Sequence, residues 1–227
     1  AGCQVAYFNA VQRMPIGVAL LLEYLGVVLV VLWVWARSRR APTRATLIGV
    51  ALSLAGLVLV LDLTGSVRLD PVGVVWGLLA AVGLAVYFVV SAHGDTGLPP
   101  VALASFGMLA GAVALLGLSA IGALPTATAT APIALGGVTM PWWLAIGELA
   151  VIAAATAYLL GAIGARRLGS TVASFVGLTE VLFAVLLAWL LLGELPTPVQ
   201  LAGGVLILAG VGAVRVGELR AKRPLSE

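Results

Sequence analysis

The sequence predicts an all-α polytopic membrane protein built from inverted helical repeats, on three observations. Composition is the first: 62% of residues are hydrophobic and 9% charged, with a mean hydropathy of +1.19, against roughly 25% charged in soluble domains. The second is a series of apolar runs able to cross about 30 Å of hydrocarbon at about 1.5 Å per residue. None alternates apolar with polar residues as a membrane barrel must, so strands are not expected. The third is an internal repeat: at an ungapped offset of 154 residues, Arg13–Val60 matches Arg167–Val214 at 16 of 48 positions. This composition gives roughly six matches by chance, so the excess marks a duplication.

Eight apolar segments follow in order. Ala1–Arg13 reads as the end of an incomplete helix. Ile16–Ala36 and Thr46–Leu61 come next, separated by a basic connection from Arg37 to Arg44. Val72–Ala92 and Pro100–Leu124 follow, then the low-complexity stretch Pro125–Pro132, which reads as an external linker. Trp142–Ala165 opens on Trp142 and Trp143, interfacial anchors by their amphipathic rings. Thr171–Leu192 and Val199–Val214 complete the set. Three units result: residues 1–62 as the last three helices of a first repeat, 72–216 as a second repeat of five helices, and 217–227 as a tail.

If the segments alternate in direction, ten of the twelve Lys and Arg fall on one side, from Arg37 through Arg166 and Arg167 to Arg215 and Arg223. Only Arg13 and Arg68 are opposite. The positive-inside rule makes the rich side cytoplasmic, with the C-terminus there, in an inner or plasma membrane. The pI of 9.5 therefore reflects topology and headgroup contact, and no nucleic-acid partner is expected.

Alternation also fixes the sense of the repeat. Ile16–Ala36 runs from outside to inside and its counterpart from inside to outside, so the halves are inverted, as in many secondary transporters. The second half begins near Val72, which puts the start of the first roughly 80 residues before Ala1. Two helices and part of a third are thus expected ahead of Ala1, making a ten-helix parent, and the 227-residue form is not expected to transport alone. Ala1–Arg13 lacks the charged region, apolar core and cleavage site of a signal peptide.

The run from Gly169 to Thr197, with Gly-Leu-Thr-Glu at 177–180 and Gly-Glu-Leu-Pro-Thr at 193–197, then Gln200-Leu-Ala-Gly-Gly, resembles the EamA module of the drug/metabolite transporter superfamily. The segment Ala10–Gly26 is similar to the matching part of threonine/homoserine-type exporters. The resemblance implies a ten-helix carrier of two five-helix repeats that exports an amino acid, a derivative or a drug. Many relatives carry proline at the positions of Val27 and Val181, so both helices are expected to be less kinked here.

Acids within the spans are functional candidates, because a charge at mid-bilayer costs about 2.5–3.5 kcal/mol on insertion scales. Glu23 stands eight residues into its helix, about 12 Å deep. Glu180 stands ten residues into its own. At the repeat offset Glu23 aligns with Gly177 and Gly26 with Glu180, so each half contributes one carboxyl suited to proton exchange. Glu148, nearer the outer interface, is a weaker candidate, and Glu194 reads as a turn residue. Neutral polar groups add a candidate cavity wall: Gln4, Phe8 and Gln12 at helical spacing with Tyr7 alongside, then Trp76, Gly83, Tyr87 and Ser91, then Thr156 and Tyr158. Interhelical hydrogen bonding is the alternative for each of them.

Gly49/Gly56 and Gly203/Gly210 repeat at heptad spacing on helices with few polar groups. They read as close-packing faces or a homodimer face, standing away from the substrate path. One cysteine (Cys3) and one histidine (His93) cannot build a zinc site, the acids are too dispersed for a carboxylate metal centre, and no phosphate-binding glycine loop occurs. No metal, cofactor or enzymatic activity is expected. The partners implied are a small-molecule substrate, the lipid bilayer and protons. The reading is a secondary-active exporter working by alternating access with proton coupling; a non-transporting scaffold or a channel is the rival.

Overall fold

The structure is a computed structural model, and it describes residues 2–62, 70–93, 99–122, 130–135, 138–193 and 195–222. Arg68, Glu194, Arg223 and most of Pro125–Pro132 lie outside the described residues. Eight helices run in order among them: α1 (Gly2–Val11), α2 (Ile16–Ser38), α3 (Arg44–Val60), α4 (Pro71–Ala92), α5 (Pro100–Ala120), α6 (Trp142–Leu168), α7 (Ser170–Leu190) and α8 (Pro198–Lys222). Six are long and apolar enough to cross a membrane. α3 has 17 residues, at the short end of what spans. The chain is thus an all-α polytopic membrane protein.

Local chemistry sets the helix ends. Asp70 caps α4, its carboxylate accepting from the Gly73 N–H at 2.8 Å, with Pro71 in the first turn. Thr43 caps α3 through the Thr46 N–H at 3.1 Å. The repeat-equivalent Thr197 forms a reciprocal capping box at the start of α8. There Gln200 Oε1 accepts from the Thr197 N–H at 2.9 Å, and Thr197 Oγ1 accepts from the Gln200 N–H at 3.2 Å. α6 turns into α7 through the single residue Gly169, at φ 84 and ψ 160, a conformation essentially confined to glycine.

Packing registers give the helix directions. Gly49 meets Gly210 and Gly56 meets Gly203, so α3 and α8 run antiparallel. The repeat offset converts one of these contacts into the other, which is the signature of a two-fold axis passing between the two helices. Gly77 lies on Leu22, and Gly26 on Ala81 and Leu84, so α2 and α4 run parallel. Gly83 lies on Cys3 and Gly73 on Arg13 and Met14, so α1 and α4 run antiparallel. These directions follow the alternation expected from the loops and invert the halves. The close approaches need glycine, because a Cβ on Gly56 or Gly203 would strike the other's carbonyl oxygen.

α4 is the hub, packed against α1, α2, α6 and α7. The buried core sits between α2, α7 and the α3/α8 pair, around Val27, Phe175, Leu178 and Ile207. A second cluster joins Val30, Phe88, Ala165 and Ala173. α5 touches only α6 among the principal contacts, and no residue of Val101–Ala120 is buried.

Several expectations are corrected. The glycine faces of α3 and α8 are consumed by each other, so they are not available as the homodimer face. Valine at 27 and 181 does not leave regular helices. The α-helical pattern is interrupted at Leu25 and at Leu178, where tightened turns place Val28 N–H on Leu25 O at 2.9 Å and Leu178 N–H on Phe175 O at 3.1 Å. Two short strands, β1 (Ile133–Leu135) and β2 (Val138–Met140), pair antiparallel just before α6, outside the spans. Finally, α8 continues past Val214 to Lys222, so the first residues of the expected tail are helical.

Candidate functional site

The tightened turn of α2 follows directly after its polar pair, Glu23 and Tyr24. Tyr24 is buried and turns toward α7, where its hydroxyl donates to Glu180 Oε2 at 3.4 Å. Glu23 turns toward α1 and accepts from the Cys3 thiol at 3.2 Å; that sulfur also lies 3.3 Å from the Ala80 carbonyl of α4. Successive residues thus tie α2 to opposite neighbours. The two carboxylates nevertheless lie within coulombic reach of each other and of Tyr7 and Tyr24.

A cavity of about 370 Å³ opens beside this pair, in the range of small-molecule sites. Its walls are Leu20 and Tyr24 of α2, the end of α3 at Val60, Glu180 and Ala184 of α7, and Gln200 at the start of α8. Gln200 also donates to the Val60 carbonyl at 3.4 Å, closing the corner between α3 and α8. Three polar groups thus face an otherwise aliphatic chamber. The ends of α3 and α8 reach it, so these helices do not stand clear of it as expected.

The remaining candidates divide. Tyr7 is half-buried on α1, its ring against Phe8 with centroids 5.6 Å apart. Tyr87 and Tyr158 come together edge-on at 5.5 Å, and the Tyr87 hydroxyl donates to the Tyr158 carbonyl at 3.1 Å. Gln4 donates to the Tyr158 hydroxyl at 3.4 Å. These last two stand exactly one repeat offset apart, so their contact straddles the pseudo-two-fold. None of the three tyrosines lines the chamber. Trp76 packs with Met14 and Val18 between α4 and the α1–α2 corner. Gln12 and Glu148 are exposed and away from it. Tyr24 and Gln200 were missed as candidates. Tyr24 carried the same depth signal as its neighbour Glu23, and Gln200 was recognisable as the third residue after a Thr cap.

Comparison with known proteins agrees with this architecture. The profile of the EamA-like transporter family matches residues 71–216. An uncharacterized transporter from Archaeoglobus fulgidus is 28% identical over 206 residues, covering 91% of this chain and 69% of the relative. A crystal structure of a protein 23% identical superposes with a TM-score of 0.73, covering 98% of this chain and 73% of the other. On the family match, which spans well over half of its length, the chain belongs to the EamA-like transporter family.

Proposed function

We propose that this membrane transporter is a secondary carrier that exports a small organic solute by alternating access. Glu180 lies at its substrate site and Glu23 on a linked proton path. One observation carries the reading: Glu180, a carboxyl within a membrane-spanning helix, lines a cavity of about 370 Å³ where α2, α3, α7 and α8 meet, and Tyr24, next to Glu23 in the chain, donates to it at 3.4 Å. Inverted helical halves meeting at such a site are what alternating access needs. The charge asymmetry of the loops supports a cytoplasmic C-terminus, which puts the cavity on the external side. The division into a first repeat over residues 1–62 and a second over 72–216 belongs to the same proposal.

The test is solute flux into proteoliposomes carrying the complete gene product, driven by a pH gradient. Saturable flux coupled to the gradient is expected. Glu180→Gln, which keeps shape and hydrogen bonding but cannot titrate, is expected to lower it at least tenfold. Glu23→Gln should uncouple it from pH. If both variants run at the wild-type rate, neither acid couples transport. Non-saturable flux would make the protein a channel.

A further inference from the structure

We infer that the corner where α2 ends, α3 begins and α8 ends binds the phosphate headgroup of an anionic phospholipid through Arg39, Arg40, Arg44 and Arg220. The corner lies at the opposite end of the α3/α8 pair from Gln200 and the cavity, and the inference stands apart from transport.

The repeat supplies an internal control. α2 ends in a left-handed cap in which the Arg39 N–H donates to the Trp35 carbonyl at 2.8 Å. The turn that continues α7 ends in the same cap, with the Gly193 N–H on the Trp189 carbonyl at 3.0 Å. Both residues of one cap map onto the other at the repeat offset. Arg39 has φ 54 and ψ 15 and Gly193 φ 74 and ψ 13, a region that glycine enters freely and a residue with a Cβ enters at a cost. One half thus uses the residue that the turn favours, and the other places an arginine there. Their neighbours diverge likewise: Arg37, Arg40 and Arg44 stand where the second half has Leu191, Glu194 and Pro198. The cap is built in the second half without a basic residue, so the fold does not call for these arginines.

α8 departs from the repeat at the same corner. α3 stops at Val60, whereas α8 runs past the equivalent Val214 to Lys222. With 25 residues, it is about 37 Å long and outruns about 30 Å of hydrocarbon. Gly217 is buried and docks this overhang on the start of α3, since a Cβ there would strike the Thr43 and Thr46 hydroxyls. Arg220 follows one turn later on the same face, beside the connection that carries Arg39, Arg40 and Arg44. All four are exposed. Among the described residues, no guanidinium of the four has an ion pair or a hydrogen bond. Glu218, the one acid in the overhang, is half-buried.

Trp33 and Trp35, exposed on the last turns of α2, set the corner at headgroup depth. Helices that complete the first repeat ahead of α1 would take the places that α4 and α5 hold in the second. Neither α4 nor α5 packs on α3 or α8 among the principal contacts, so their counterparts would leave this corner to lipid. Arginine suits that partner, because its planar fork gives paired hydrogen bonds to a phosphate. Basic clusters at the end of a span attract anionic lipid.

The test is the thermal midpoint of the purified 227-residue chain in a neutral detergent, alone and with added phosphatidylglycerol, phosphatidylcholine or inorganic phosphate. Phosphatidylglycerol is expected to raise the midpoint by several degrees, and the other two by much less. Arg39→Gly with Arg220→Gln should reduce that rise at least twofold, whereas Arg167→Gln, at the α6–α7 turn of the same face, should leave it intact. Arg39→Gly alone is the folding control: glycine suits φ 54, so its midpoint without lipid should equal or exceed that of the wild type. A midpoint lowered by Arg39→Gly in detergent alone would make the arginine structural and overturn the inference. So would no rise with phosphatidylglycerol, or an equal rise with phosphatidylcholine. An equal rise with inorganic phosphate would make the corner a free-anion site and sink the lipid. A full rise in the double variant, or one reduced as much by Arg167→Gln, would mean that the lipid is drawn to the basic face at large and not to this corner.

Discussion

A side chain on Gly26 would run into the Ala81 carbonyl oxygen and the Leu84 side chain of α4, and one on Gly177 would meet the Phe88 ring. These are the two positions that the repeat pairs with Glu180 and Glu23. α4 therefore presses closely on α2 and α7 at these two positions. The neighbours also differ in how far they can yield, since a ring end can move and a backbone carbonyl cannot. Gly26→Ala should therefore lower stability by about 1–3 kcal/mol, and Gly177→Ala by clearly less, read as thermal midpoints in detergent. Equal losses would mean that the α2–α4 approach is looser than the registers indicate.

At the scale of the elements, most boundaries were legible because apolar runs in a membrane protein stop where the bilayer does. The basic clusters near Arg37 and Arg166 and the prolines at 71, 100 and 198 bracket helices that the structure ends within a few residues of the expected places. The misses have physical causes. Hydropathy sees the bilayer and not the helix, so the amphipathic continuation of α8 through Glu218 and Lys222 was invisible to it. The tightened turns at Leu25 and Leu178 each contain a glycine, Gly26 in one and Gly177 in the other, a local signal that hydropathy does not weigh. The chamber was legible only in part: the depth of Glu180 and Glu23 can be read along one helix, whereas its closure by Tyr24 and Gln200 depends on how four helices meet. Helix directions give a direct test of the proposed orientation. Ser38 ends α2 and Thr139 lies in β2, both exposed and on opposite sides by the alternation. In a Cys3→Ser background, Thr139→Cys should react with an impermeant thiol reagent in intact cells and Ser38→Cys should not. The reverse pattern would invert the topology.

For the whole molecule, the proposed alternating access makes a prediction about a few side chains. α2 packs against its neighbours through Gly26, Val27 and Val30, which are buried, and the repeat places Glu180, Val181 and Ala184 of α7 at the equivalent positions. A charged carboxylate resists being closed over, and alanine leaves a shallower ridge than valine, so in that proposal closure over Glu180 needs it paired or protonated and is favoured by a larger side chain at position 184. The two states need differ by only a few kcal/mol, and one methyl pair can move that balance. Ala184→Val should shift the population toward closure of the external end. The readout is a pair of reporter cysteines at equivalent positions in a Cys3→Ser background, one at Leu20 and one at Ser174. In the wild type the Leu20 cysteine should label from outside and the Ser174 cysteine resist reagent from the cytoplasmic face. With Ala184→Val, labelling at Leu20 should fall and labelling at Ser174 rise, in opposite senses and by comparable factors. Reactivity that rises at both positions, or is unmoved at both, would mean that the two ends do not exchange, and alternating access would fail with it.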